Sequence, residues 1–276
     1  LRILSFNIHG WRTLHGETNL DLLVDLFKRT KADVIALNEA YHPVATKSGT
    51  ALSWLAEQLD MRVAFAAKRA CGDPSDITSG ASGNALLSRF PFASTFSGLY
   101  SPIEGRKQRG FLEGRLEIGN GRTLSVVVTH LDPSSESVRQ DQFVELLDWF
   151  DRDSRHSDLI VGDFNCLNPR DYEYTPEARA AWNIFPEEAQ HLVNAPNGPQ
   201  LTRQIEQAGY IDTGVHRGYS KHGTFIPAEI SVRLDYIWLH SNLLEHLGDG
   251  WVVEESLGQE ASDHRPVMIE LRLATG

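Results

Sequence analysis

Apolar positions along the chain fall into short blocks whose spacing switches between two periods. "RILSFNI", residues 2–8, is a nearly continuous apolar run of strand length. "NLDLLVDLFKRT", 19–30, puts Leu22, Leu23, Leu26 and Phe27 on one helical face, with Asn19 as its N-cap. "DVIALNE", 33–39, returns to the buried-strand pattern. The same reading predicts helices over 51–59, 138–150 and 201–209, the last stopped by Gly209. It predicts strands over 62–67, 84–90, 111–118, 123–131, 158–165, 232–240, 251–256 and 266–273. "GNG", 119–121, is a hairpin signal between two of them. Residues 71–83 and 168–200 read as loop, with a short helix around "PEARAAW", 176–182.

Strand, helix, strand occurs twice with one logic. The first unit runs from "LRILSFNI" to "DVIALNE", the second from "TLSVVVTHL" to "DLIVGDFN". Continuous apolar strands imply that both faces of each sheet are covered. Each strand finishes in polar residues: Asn7 and His9, then Glu39; His130, then Asp163 and Asn165. The expected fold class is α/β, a four-layer α/β/β/α sandwich of two packed mixed sheets with outer helices. The whole span 1–276 forms a single domain in this reading, with the polar strand ends meeting in one cleft.

Composition narrows the field. Of 276 residues, 41% are hydrophobic and 23% charged, as in an ordinary globular chain with a sizeable core. No apolar run is long enough to span a membrane. The opening residues lack the pattern of an export signal, which favours the cytoplasm, while a chain beginning at Leu1 leaves secretion open. Cys71 and Cys166 form no CxxC pair and read as free thiols. The net charge of −11 disfavours a grip on long nucleic acid by phosphate contacts alone.

The rim residues Asn7, Glu39, His130, Asp163, Asn165, Asp235, Asp263 and His264 supply four carboxylates, two amides and two imidazoles. There is no thiolate among them and no HExxH spacing, so zinc is not indicated. Carboxylate oxygens suit Mg²⁺ or Mn²⁺, with Ca²⁺ also possible. No GxSxG, GxxxxGK[ST] or GxGxxG stands in the chain. The set suits metal-assisted attack of water on a phosphorus ester. Asp263 and His264 are adjacent, and both can face one cleft only if "SDH" is a loop and the strand starts at Pro266 or Val267.

The motifs "SFNIHG", "DVIALNE", "GNALLSRFP", "VVVTHLD", "GDFN", "RLDYIWL" and "SDHRPV" follow one another from residue 3 to about residue 271. In that order the chain resembles the endonuclease/exonuclease/phosphatase superfamily of DNase I-like nucleases, apurinic endonucleases, sphingomyelinases and inositol polyphosphate phosphatases. The resemblance implies metal ligation by Glu39 and Asp263, with Asn7 beside metal and phosphate. It implies that Asp163 orients or deprotonates the attacking water and that Asn165 binds phosphate. His264, oriented by Asp235, would donate to a phosphate oxygen, and His130 would contact phosphate or protonate the leaving oxygen. Arg115 and His9 are candidate phosphate contacts. Apurinic endonucleases carry an acid at the position of His9 and a Tyr at that of His130, which argues against abasic-site repair.

The expected activity is hydrolysis of a small or locally recognised phosphodiester. Three alternatives stay open: a DNase I-like endonuclease on DNA or RNA, a sphingomyelin or inositol-phosphate phosphoesterase, and a non-catalytic module of the same fold. A lipid headgroup would call for exposed aromatics, for which "FSGLYSPI" and the segment around Trp182 and Phe185 are the candidates. An inositol-phosphate substrate would call for a basic cluster, for which "EGRKQRG", 104–110, is the candidate.

Overall fold

A computed structural model of the chain describes residues 1–46, 49–69, 81–152, 156–172, 200–226, 232–254 and 260–273. In chain order the elements are β1 (Arg2–Asn7), α1 (Leu20–Thr30), β2 (Val34–His42), β3 (Ala45–Thr46), β4 (Gly49–Thr50), α2 (Ala51–Leu59), β5 (Arg62–Arg69) and β6 (Ala81–Ser88). β7 (Phe92–Leu99), β8 (Gly110–Gly119), β9 (Arg122–His130), α3 (Glu136–Asp151) and β10 (Leu159–Asp163) follow. The chain closes with α4 (Leu201–Gln207), β11 (Tyr210–Asp212), α5 (Thr213–Arg217), β12 (Asp235–His240), β13 (Leu247–Val252) and β14 (Val267–Leu271).

The strands build two six-stranded sheets, ordered β13-β14-β1-β2-β6-β5 and β11-β12-β10-β9-β8-β7. Each predicted strand–helix–strand unit contributes one parallel pair, β1 with β2 and β9 with β10. All other pairs in these sheets are antiparallel. Alternation along each strand sorts its side chains into layers. In β1, Leu4 and Phe6 pack with Leu23 and Phe27 of α1, whereas Ile3 turns towards the other sheet. Val126 and Val128 of β9, Val161 of β10 and Ile237 of β12 meet Ile3, Val34 and Ala36 in the middle layer. Phe143 and Leu146 of α3 and Leu201 and Ile205 of α4 cover the opposite face of the second sheet, against Val127, Ile160 and Trp238. The three apolar layers between helix, sheet, sheet and helix are the expected α/β sandwich.

Several local expectations are revised. β2 does not end at Glu39 but runs on to His42 through a bulge: Leu37 opposes Ala85 and Ala40 opposes Gly83, so Asn38 and Glu39 together face Asn84. The side chain of Asn19 does not cap α1; its amide donates to the carbonyls of Ile8, Arg12 and Ala261, tying the helix start to two loops at the rim. β7, β11 and α5 escape the apolar pattern because they are short or half-exposed. β12 begins at Asp235, so that acid opens the strand rather than interrupting it. "SDH" lies outside the strand, which starts at Val267 as expected. Cys166 is a buried free thiol. The segment 176–182, Trp182, Phe185 and Cys71 lie outside the described residues, as do most of the loops 71–83 and 168–200.

Candidate functional site

The site follows from strand alternation. The middle layer takes every second residue: Ile3 and Asn7 in β1, Val126, Val128 and His130 in β9, Val161 and Asp163 in β10, Asp235 and Ile237 in β12. At one end of the sandwich the apolar residue of each row gives way to a polar one. Register aligns them, since Asp163 lies opposite His130 on one neighbouring strand and Asp235 on the other.

The groups then bond across the cleft. His264 Nδ1 is 2.7 Å from Asp235 Oδ2, and His264 Nε2 is 3.9 Å from Asp163 Oδ2. His130 Nε2 is 3.4 Å from the same Asp163 oxygen, and Asn7 Nδ2 donates to it at 3.1 Å. Asn165, held with a left-handed φ of 49°, donates its backbone N–H to Asp163 Oδ1 at 2.9 Å and its side-chain amide to the Leu131 carbonyl. Asp163, Asp235 and His264 each offer a ligand atom within 4.8 Å of the others. His264 Nδ1 and Asp235 Oδ2 are engaged in their short bond, a relay that faces Asp163 through His264 Nε2.

Burial sets the electrostatics. Loss of solvent, then the Asp235 charge, push the Asp163 carboxyl up to about 7, against His264 and the N–H donors of Asn165 and Asn7. Burial alone draws the His264 imidazolium down, but Asp235, Asp163 and Asp263 outweigh it and push it up to about 10. The site thus pairs a carboxyl that titrates near neutrality with an imidazole that stays protonated there.

The other end is more open. Asn7 Oδ1 accepts the backbone N–H of His9 at 3.2 Å, and His9 Nδ1 stands 3.2 Å from Asp263 Oδ1. Ser262 Oγ donates to the Asn7 carbonyl at 2.6 Å, which fixes the "SDH" loop against β1. His9, Trp11 and Glu39 all have left-handed φ, at 51°, 66° and 57°. Non-glycine residues hold that conformation at a cost, and such strain gathers at functional sites. His9 and Glu39 border a cavity of about 920 Å³.

Nine of the ten residues singled out from the sequence therefore meet around this cleft. Arg115 does not. It pairs in register with Ser125, four residues before Thr129 on β9, and its Nε bonds Glu113 Oε1 at 3.0 Å.

Sequence reasoning missed two residues here, Asn38 and Asn84. Asn38 Oδ1 accepts the Asp163 backbone N–H at 2.8 Å, while its Nδ2 donates to the Thr129 carbonyl and to Asn84 Oδ1. Asn84 Nδ2 donates to the Gly110 carbonyl at 2.9 Å. This buried amide pair stitches the two sheets together beneath the site. Gly162 makes room for it: a Cβ there would lie 1.9 Å from the Thr129 carbonyl oxygen and 2.9 Å from Asn38 Oδ1. The signal was present, since an amide in an apolar strand needs a partner just as Asp235 does. The basic segment 104–110 read from the sequence brings in Arg109. Its guanidinium, drawn down by burial, feels the carboxylates of Asp163, Glu39 and Asp132. Arg106 of the same loop bonds Asp132 Oδ1 at 2.5 Å, anchoring the basic segment at the rim.

A family model described as the endonuclease/exonuclease/phosphatase family matches residues 4–264. No curated protein sequence matches the chain. An endonuclease/exonuclease/phosphatase from Beutenbergia cavernae is similar in structure, with TM-score 0.71 and 20% identity, covering 99% of this chain and 72% of that one. A mannosyl-6-phosphatase from Bacteroides thetaiotaomicron gives TM-score 0.69 and 14% identity over 98% and 99% of the two chains. The 3′ phosphatase NExo from Neisseria, solved with a product DNA hairpin, gives 0.67 and 16% over 98% and 99%. At these identities the solved structures speak to the fold.

Proposed function

This chain belongs to the endonuclease/exonuclease/phosphatase family and is a hydrolase of phosphoester bonds, and from that premise we propose that it cleaves a small, locally recognised phosphodiester by in-line attack of water. The observation that carries the reading is Asp163, a buried carboxyl contacted by Asn7, His130 and Asn165 and facing a protonated His264. In this reading Asp163 accepts the proton of the attacking water, with His130 and Asn7 holding its carboxylate towards the cleft. His264, fixed by Asp235, donates to a phosphoryl oxygen and offsets the charge that grows on it. Asn165 adds a second donor to the phosphoryl group. One domain carries all of these groups.

Glu39, Asp263 and the Asn7 side-chain oxygen would form the donor set for a divalent cation, Mg²⁺ or Mn²⁺, with Ca²⁺ also compatible. The fit rests on their chemistry and placement: hard oxygen donors, with Asp263 bonded to His9 and His9 bordering the same cavity as Glu39. Such an ion, when bound, supplies Lewis-acid stabilisation of the phosphoryl and leaving oxygens.

Arg109 favours a second reading. A phosphomonoester carries more charge than a diester, and a guanidinium in the field of Asp163 and Glu39 suits it. The mannosyl-6-phosphatase and 3′ phosphatase among the similar structures point the same way. The net charge of −11 and a basic segment of three residues, Arg106, Lys107 and Arg109, weigh against a long nucleic-acid track. Among the described residues no helix is long and apolar enough to cross a membrane. The test is turnover of bis-p-nitrophenyl phosphate, p-nitrophenyl phosphate, plasmid DNA, RNA and sphingomyelin under Mg²⁺ or Mn²⁺. Preference for the bis ester is expected; preference for the monoester selects the second reading. Efficient plasmid nicking that falls steeply with salt overturns the small-substrate reading.

A further inference from the structure

The cavity of about 920 Å³ beside His9 and Glu39 plays no part in activating water. Its walls come from three elements. Trp11 sits in the turn after β1, Tyr41 on β2 beyond the bulge, and Trp54 on α2. Trp11 is fixed by its indole N–H, which donates to the Tyr41 carbonyl at 2.8 Å. Gly10 lets the turn lie on the Tyr41 ring, since a Cβ there would be 3.0 Å from Cε2. Tyr41 and Trp54 pack on the core beneath α1 and α2 yet stay partly exposed. One side of each ring is held by the core and the other is open to the cavity. Arg12 and Asp21, both exposed, add a donor and an acceptor at the border.

In-line displacement puts the leaving oxygen opposite the attacking water. Asp163 and His264 hold the water side, and His9 and Glu39 stand across Asn7 from them. The leaving alcohol therefore faces the cavity. We propose that this cavity binds the alcohol part of the substrate, and that this part is a polyhydroxylated ring, stacked on Trp54 and Tyr41 with its hydroxyls meeting Asp21 and Arg12. The inference rests on the phosphoesterase reading above. The chemistry of the lining selects the occupant. Aromatic faces accept the C–H face of a sugar-like ring, and a carboxylate and a guanidinium on the same border offer hydroxyls both kinds of partner. Arg12 at the border opposes a quaternary ammonium headgroup. Asp21 and Glu39 repel the further phosphates of a polynucleotide.

The experiment compares hexose phosphate with glycerol phosphate, each as monoester and as methyl diester, alongside a phosphocholine ester and a dinucleotide. The wild-type protein should prefer the hexose ester over the glycerol ester by about tenfold or more in kcat/KM, the scale a pocket contact supplies. Trp54→Ala should bring that ratio close to one, and Trp54→Phe should restore most of it. Asp21→Asn should lower the ratio through KM rather than kcat. No hexose preference, a preference that survives Trp54→Ala, or a stronger preference for phosphocholine or the dinucleotide overturns the proposal. Calorimetric titration with a methyl hexoside separates the two claims. Heat abolished by Trp54→Ala, without turnover of any ester, keeps the pocket and removes the phosphoesterase reading. Turnover of the glycerol ester without ring selectivity does the reverse.

Discussion

The two ends of the cleft are built on opposite plans. At the Asp163 end, Asp163, Asp235 and His130 are buried and aligned by strand register, and the buried His264 bonds Asp235. They stand on regular sheet or beside it, and Asn38 and Asn84 lock the sheets beneath them. At the His9–Glu39 end the side chains rise from left-handed backbone, are partly exposed and border a large cavity. Under the proposed mechanism, the groups that act on water are held by the two sheets, and those that would meet the rest of the substrate hang on a bulge and a turn, where a change of sequence re-aims them without disturbing the core.

The sharpest break in that comparison is Asp163→Asn. The substitution keeps shape and most hydrogen bonds, so the fold should survive while kcat drops by about a thousandfold or more. A variant within tenfold of wild type would remove Asp163 from the chemistry. Next is the paired end itself. Asp235→Asn and His264→Ala should each cost heavily, yet the double variant should cost little more than the worse single one, because the two act as a unit. Additive losses would show that they serve separate ends.

The relay also has a pH signature, best read in metal-free protein. His264 should remain protonated through neutrality, since its pKa is pushed up to about 10. A raised histidine pKa stabilises the fold fully below the unfolded value near 6.5, and that contribution is lost as pH rises through about 10. Its NMR ring resonances should be flat between pH 6 and 8, and Asp235→Asn should bring the titration into that window. Resonances that titrate near 6.5 in the wild type would mean the Asp235 bond is not formed in solution.

Much of the closed end was legible in the sequence, and much of the open end was not. "VVVTHL", "GDFN" and "RLDY" each break an apolar strand with a polar group at a strand end or start, and the register of the folded sheet then puts His130, Asp163 and Asp235 in one layer. Glu39 was legible as a candidate but not as a bulge residue, because residue type alone does not announce a positive φ in a strand. The cavity joins residues 9–12, 39–46 and 54, which only tertiary packing brings together. Asn38 and Asn84 were overlooked because amides inside quoted motifs passed as part of the pattern. Their test is Asn38→Ala, which strands the Asp163 N–H and the Thr129 carbonyl. It should lower stability by about 2–3 kcal/mol in denaturant melts and reduce kcat with it. A smaller effect falls on Arg115, far from both ends. Arg115→Ala should leave kcat/KM within about twofold of wild type, as expected of a residue outside the cleft. A larger loss would extend the site down β8.

In the proposed mechanism a divalent cation at the open end works with the carboxyl at the closed end. The direct measurement is turnover of bis-p-nitrophenyl phosphate before and after EDTA, then with Mg²⁺ or Mn²⁺ restored, in wild type and in Glu39→Gln. Chelation should abolish turnover, either ion should restore it in the wild type, and Glu39→Gln should need far more metal for the same rate. Full turnover in EDTA, or a Glu39→Gln variant with unchanged metal dependence, would contradict it.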